Sequence, residues 1–243
     1  METIRKPRPK FLTAEWRKLI MVNYEIDPKV LQPFVPPHTE NEFWNGKTYV
    51  SLVGFMFLNT RVLGIKFPFH VNFEEVNLRF YVRYKYQNEW RRGVVFIKEI
   101  VPKWMIANIA NWRFNENYVS LPMRHEIVHT QEQLSVTYEW KLAGDWQSMK
   151  VTAAPVSQPL IAGSQEEFIA EHYWGYAANH KHQTLEYEVG HPSWEVYKMN
   201  DLDLQCDFAR LYGEAFQPYL EAPPTSTFLA EGSPIFVCKA SKL

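Results

Sequence analysis

The 243-residue chain is one large domain or two small ones, long enough to bury a substantial core. Its 46% hydrophobic and 22% charged residues match a folded domain rather than a disordered chain, and 26 Lys plus Arg against 27 Asp plus Glu leave a net charge of −1. No global field therefore draws in phosphate backbones or acidic membranes, and neither nucleic acid nor a membrane is an expected partner.

Cys206 and Cys238 form no CxxC pair and no metal-ligand spacing, which fits a reducing compartment. The basic start METIRKPRPK has no apolar stretch behind it, so secretion is not expected. The longest uncharged run, Val151 to Gln165, is broken by Pro155 and Pro159 and is too short to span a bilayer. A soluble, cytoplasmic protein is the expectation. Nine Trp, thirteen Tyr and sixteen Phe make 16% of the chain aromatic, which implies a thick β core or an aromatic pocket.

In chain order, Leu19 to Ile26 has strand composition, and Asp27-Pro28 then reads as an N-cap with Pro at the first helical position. Pro33, Pro36 and Pro37 limit that helix to about two turns. Asn45-Gly46 predicts a hairpin between Glu42–Trp44 and Thr48–Asn59. Val76–Tyr86 and Gly93–Val101 alternate as strands joined by a turn over Gln87–Arg92 and should pair antiparallel. Lys103–Trp112 has near-helical spacing after Pro102.

Strands follow at Met123–Thr130, Leu134–Leu142 and Trp146–Ala153, with a Gly144-Asp145 turn between the last two. Ser164 and Glu167 form a capping box for a helix to about His172. Further strands are expected at Thr184–Val189, Glu195–Met199 and Ile235–Lys239, with a helix over Leu204–Tyr212 closed by Gly213. With no repeat or flexible linker, residues 1–243 read as a single domain of antiparallel α+β architecture.

His125-Glu126-Ile127-Val128-His129 matches the HExxH pattern, in which a helix brings two His residues onto one zinc and leaves Glu as general base. Its context favours a strand, with His125, Ile127 and His129 on one face, and the extended motif fails at Glu132 and Ser135. A zinc-dependent hydrolase stays an alternative, while the preferred reading needs neither metal nor cofactor.

The segment from Phe69 to Arg83 places Glu75, Asn77, Arg79 and Tyr81 on one face and Val76, Leu78, Phe80 and Val82 on the other. The polar row is either a solvated face or the wall of a ligand cavity in which Arg79 clamps a carboxylate. Lys98 alternates with Val94, Phe96 and Ile100. It reads as a lysine that reaches water, against the alternative of a desolvated amine suited to Schiff-base chemistry.

His191, between Gly190 and Pro192 and near Trp194, sits on a rigid turn able to present an imidazole to a pocket. His180-Lys181-His182 reads as a solvated loop. Ser241-Lys242-Leu243 matches the peroxisomal address, which has meaning only in an organism with peroxisomes. GxGxxG, P-loop and GxSxG patterns are absent.

The segments FLTAEWRKLIMVNYEIDPKVLQPFVPP, FWNGKTYVSLVGFMFLNTRVLGIKFPFH, NFEEVNLRFYVR and GHPSWEVY resemble the YqjF-like family of the acetoacetate decarboxylase-like superfamily. That resemblance implies a mainly antiparallel, double-layered, cone-shaped β-barrel with peripheral short helices and one central cavity. The decarboxylases use a Schiff-base lysine in a Pro-Lys-Lys sequence. This chain has no Lys-Lys pair, and the corresponding segment offers Asn117 and Tyr118.

Arg17 resembles a cavity arginine of the decarboxylases, and Glu75, Asn77, Arg79, His191 and Trp194 match positions typical of the YqjF-like group. The combined expectation is a cavity for a small carboxylate or carbonyl compound. Glu75 and His191 would be acid or base, and Arg17, Asn77, Arg79, Asn117, Tyr118 and Trp194 would be ligand-binding. Imine decarboxylation is not expected. A lyase- or hydratase-like enzyme and a non-catalytic binding or sensing protein both remain open, as does association with further copies of the chain.

Overall fold

The computed structural model describes residues 8–103, 117–179 and 183–243. The expected helix over Lys103–Trp112 and the loop His180–His182 fall outside these residues except for Lys103. The described residues form one fourteen-stranded sheet with four short helices around it.

The strands are β1 (Lys10–Ile26), β2 (Thr39–Asn41), β3 (Thr48–Val62), β4 (Phe73–Tyr86), β5 (Glu89–Val101), β6 (Tyr118–Ser120) and β7 (Met123–His129). They continue as β8 (Leu134–Leu142), β9 (Asp145–Pro159), β10 (Trp174–Ala178), β11 (Thr184–Gly190), β12 (Glu195–Gln205), β13 (Ser226–Cys238) and β14 (Ser241–Lys242). The helices are α1 (Pro28–Leu31), continued by a 3-10 turn at Gln32–Phe34, then α2 (Gln165–Ala170), α3 (Phe208–Tyr212) and α4 (Gln217–Leu220).

Local chemistry explains most boundaries. The Asp27 carboxylate accepts from the Lys29 N–H at 2.8 Å and opens α1, as the Ser164 hydroxyl does for α2 through the Glu167 N–H. Asn45 and Gly46 both take positive φ, 50° and 78°, so the hairpin turn forms. Its first arm is only a bridge between Trp44 and Lys47, because β2 lies earlier and pairs with β4. The loop expected over Gln87–Arg92 tightens to Gln87-Asn88, with Gln87 at φ 54°. Leu204 and Gln205 belong to the end of β12 and not to a helix. Asp207 caps α3 by accepting from the Arg210 N–H, so the helix starts at Phe208.

Seven strands close into a ring by pairing, in the order β11, β10, β5, β4, β3, β1, β13 and back to β11. The ring is uneven: Val189–Val237 and Gly190–Phe236 close it on one side, and two parallel pairs join β10 to β5. All other ring contacts are antiparallel. From β13 the sheet continues through β12, β9, β8 and β7.

These further strands fold over the outer face of the ring. Tyr138 of β8 and Met149 of β9 lie so close to Gly54 of β3 that a Cβ there would sit 2.9 Å and 3.0 Å from them. The apolar row of β4 (Val76, Leu78, Phe80, Val82) packs into this outer cluster with Val136, Tyr138, Met149 and Val151. A second cluster, with Phe55, Phe57, Phe73, Val94 and Trp194, occupies the ring's inner face.

Backbone irregularities decide which residues face inward. In β1 the register shifts between Arg17 and Ile20, where Lys18 has φ 54°. Ala14 precedes the shift and Leu19 and Met21 follow it on the inner side, while Ile20 and Val22 face outward. In β5 the partner of Leu78 is Lys98 but the partner of Arg79 is Phe96, so Ile97 is an inserted residue that reverses the alternation.

Candidate functional site

The ring encloses a cavity of about 230 Å³, and every ring strand contributes to its wall. The β4 alternation carries Glu75, Asn77 and Arg79 into it, and they are 2%, 1% and 7% exposed. Hydrocarbon surrounds them: Trp16 and Leu19 from β1, Phe55 and Phe57 from β3, Val94 and Phe96 from β5. Tyr118, His191 and Trp194 also line the wall. Six of the eight residues singled out from the sequence thus meet in one cavity.

Arg17 and Asn117 do not. Trp16 points inward, so alternation turns Arg17 outward, where Glu15 holds its Nη2 at 2.6 Å and the Gly232 carbonyl accepts from Nη1. The Asn117 amide donates to the Ile97 carbonyl at 3.3 Å, outside the cavity wall.

Lys98 is likewise turned away. The extra residue at Ile97 leaves Val94 and Phe96 facing the cavity, sends Glu99 inward after them, and directs Lys98 outward, where its ammonium donates to the Leu211 carbonyl. Partial burial lowers the Lys98 pKa, but no lysine among the described residues lines the cavity.

Two carboxyls converge on one phenol. The Tyr118 hydroxyl donates to Glu75 Oε2 at 3.3 Å, Asn77 Nδ2 donates to Glu75 Oε1 at 2.8 Å, and Glu99 is a second hydrogen-bonding neighbour of Tyr118. Burial pushes the Glu75 pKa up to about 7, while the Asn77 and Tyr118 hydrogen bonds and the Arg79 charge oppose the rise. Burial and the two negative neighbours push Tyr118 far above the ordinary phenol range. Of Glu75 and Tyr118, Glu75 is therefore the one whose pKa lies near neutrality.

Arg79 is the opposite case. Among the described residues its guanidinium makes no hydrogen bond and no ion pair. Its Nε is buried without a partner, and its nearest aromatic support is the Tyr81 ring at 5.9 Å. Tyr81 itself is held by Ser51 at 2.6 Å. A buried cation in an apolar wall is costly unless an anion joins it.

Two imidazoles flank the site. His191 stacks on Trp194 at 4.4 Å and its Nδ1 lies 2.9 Å from the Pro192 carbonyl, and burial lowers its pKa. His172, which sequence reasoning missed, lies just after α2. Its Nε2–H donates to Glu42 Oε2 at 2.9 Å, and burial drives its pKa down to about 4 despite the carboxylate. Burial would raise Glu42, yet its bonds to His172 and Arg92 bring it below the usual carboxylate range.

The HExxH residues lie on β7, an extended strand paired with β8. His125 and His129 are then about 13 Å apart along the chain. They bond elsewhere, to Glu74 and to the Pro155 carbonyl. No group of three or more His, Cys, Asp or Glu among the described residues could hold a metal ion. No helix of the described residues is long and apolar enough to cross a membrane.

A mostly antiparallel sheet, a ring of seven strands and a central cavity carrying a buried arginine define the architectural class, and the family follows from the sequence. The chain belongs to the DUF2071 family, "Uncharacterized conserved protein (COG2071)", whose model matches residues 13–234. It is 24% identical over 183 residues to the uncharacterized protein YqjF of Bacillus subtilis (strain 168), covering 74% of this chain and 72% of YqjF.

Among solved structures, it is similar to the enduracididine biosynthesis enzyme MppR complexed with pyruvate. The TM-score is 0.66 at 12% identity, with coverage of 99% of this chain and 93% of that one. It is also similar to acetoacetate decarboxylase from Legionella pneumophila, with TM-score 0.64, 14% identity, and coverage of 100% and 93%. An acetoacetate decarboxylase-like enzyme from Sphingomonas wittichii gives TM-score 0.62, 14% identity, and coverage of 100% and 98%. At these identities the likeness shows the fold alone.

Proposed function

We propose that this protein binds a small organic acid in the cavity of a double-layered barrel of the acetoacetate decarboxylase type, with Arg79 as the carboxylate anchor. The observation that carries this reading is the Arg79 guanidinium: buried in the cavity wall, and without a counter-ion or hydrogen-bond acceptor among the described residues. A bound carboxylate would supply two acceptors in the geometry a guanidinium fork matches. The similar enzyme MppR is complexed with pyruvate, which supports a cavity of this type holding such a group.

Glu75 supports a lyase- or hydratase-like role over binding alone. A carboxyl titrating at about 7 takes and returns a proton at working pH, and Tyr118 and Asn77 orient it. Imine chemistry has no amine among the described cavity residues, so the reading is proton transfer at carbon or oxygen without a covalent intermediate. His191 and Trp194 close the side of the cavity beside Trp16.

Titration calorimetry with pyruvate and acetoacetate tests the anchor: binding is expected, and Arg79→Met is expected to abolish it. Unchanged affinity in that variant would refute the reading. Deuterium uptake by the pyruvate methyl group in D₂O tests turnover, with Glu75→Gln expected to suppress it.

A further inference from the structure

The register of β4 against its neighbours orders the cavity wall by polarity. Arg79 lies opposite Phe96 of β5 and Ser51 of β3, and Asn77 lies opposite Glu99 and Val53. Glu75 lies opposite Phe55, and Phe73 lies opposite Phe57. Same-face positions are about 6.6 Å apart on a strand. From Arg79 onward the wall therefore reads cation, then amide with carboxyl, then carboxyl with phenol, then hydrocarbon.

The far end is a continuous aromatic surface. Phe57 and Phe73 stack at 4.8 Å, Phe55 and Phe57 meet at 5.3 Å, and Trp16 meets Phe55 edge-on at 5.5 Å. A pyruvate-sized acid anchored at Arg79 would leave this surface uncovered. The cavity of about 230 Å³ exceeds the apolar cavity of about 150 Å³ that takes up benzene. In the middle section, Asn77 and Glu99 lie opposite each other and both line the wall, which makes this the polar stretch of the cavity.

Resting on the carboxylate reading above, we infer that the preferred ligands are hydroxy- or oxo-carboxylic acids with an aryl or branched apolar tail. The carboxylate meets Arg79, the oxygen function meets Asn77, Glu75 and Glu99, and the tail lies on Phe55, Phe57 and Phe73.

Calorimetry on the full chain with pyruvate, phenylpyruvate, 3-phenyllactate and 3-phenylpropionate tests this. Phenylpyruvate or 3-phenyllactate should bind at least tenfold tighter than pyruvate, and 3-phenylpropionate should bind more weakly than 3-phenyllactate. Phe57→Leu should weaken phenylpyruvate binding more than pyruvate binding and so narrow the aryl preference. If pyruvate binds as tightly as the aryl acids, or 3-phenylpropionate matches 3-phenyllactate, the inference is overturned and the Arg79 anchor stands. If no acid binds and Arg79→Met changes nothing, the anchor reading fails and takes the inference with it.

Discussion

Glu75 and Arg79 share the cavity face of β4 with Asn77 between them, yet no hydrogen bond or ion pair joins the two. The Glu75 carboxyl is engaged by Asn77 and Tyr118, and its pKa of about 7 leaves it largely protonated in mild acid. The Arg79 charge polarises the site without being neutralised. The wall thus keeps a cation without a hydrogen-bond acceptor on the same strand face as a carboxyl that burial holds partly neutral, which supports the proposed carboxylate anchor.

That arrangement costs stability when the cavity is empty. An unpaired buried polar group costs about 1–3 kcal/mol, and replacing buried charge with hydrocarbon is often stabilising. Arg79→Met is therefore expected to melt above the wild type in the absence of ligand, by about 2–4 °C per kcal/mol for a chain of this size. It should also lose the further rise that a bound carboxylate gives the wild type. Differential scanning calorimetry with and without pyruvate checks both, and a lower melting temperature in the unliganded variant would show that Arg79 is already compensated.

The pH dependence follows from two buried groups of opposite sign. Glu75 titrates near 4.5 when unfolded and at about 7 when folded, so the folded state holds the extra proton between these values. Stability from this group falls as pH rises from 4.5 to 7. His172 moves from 6.5 to about 4, so its contribution is lost as pH falls from 6.5 toward 4. Each slope is at most about 1.4 kcal/mol per pH unit. Glu75→Gln removes only the first, and its stability relative to wild type should grow from pH 4.5 to 7 and level off above. Urea titrations at four pH values across that range check this; parallel profiles for the two proteins would contradict it.

How much of the site was legible depended on strand continuity. β4 runs fourteen residues without interruption, so simple alternation placed Glu75, Asn77 and Arg79 on one face and Val76, Leu78 and Phe80 on the other. The same rule failed in β5, where the inserted Ile97 exchanges the faces of Lys98 and Glu99. A bulge leaves no mark in an apolar run such as Val94–Ile97. Arg17 was assigned to the cavity by family likeness, whereas the inward Trp16 beside it fixes Arg17 outside. His172 follows a short helix and meets Glu42 across 130 residues, a contact no local pattern announces.

Closure of the ring should be sensitive at Gly190. A Cβ built there would lie 2.1 Å from the Phe236 ring, its partner in the β11–β13 pairing. Gly190→Ala must displace that ring or part the strands, at an expected cost of about 1–3 kcal/mol. Urea unfolding of variant and wild type checks this loss, since this pairing is the only β11–β13 link among the described residues. Adding Phe236→Leu should recover part of the loss; a single variant as stable as wild type would mean the ring edge adjusts freely.

The HExxH residues supply a last test, because their strand geometry separates the two imidazoles. His125 is held by Glu74 at 2.6 Å, and that hydrogen bond raises its pKa against the opposing effect of burial. The pair's contribution is full below the ordinary His pKa and is lost as pH rises through the raised value. Being partly exposed, it is worth no more than about 1 kcal/mol. Treatment with a strong chelator should therefore leave the melting temperature unchanged. His129→Ala should leave both stability, within about 0.5 kcal/mol, and pyruvate binding as they are. Loss of stoichiometric zinc on chelation, accompanied by a fall in melting temperature that His129→Ala reproduces, would restore the metal reading of this motif.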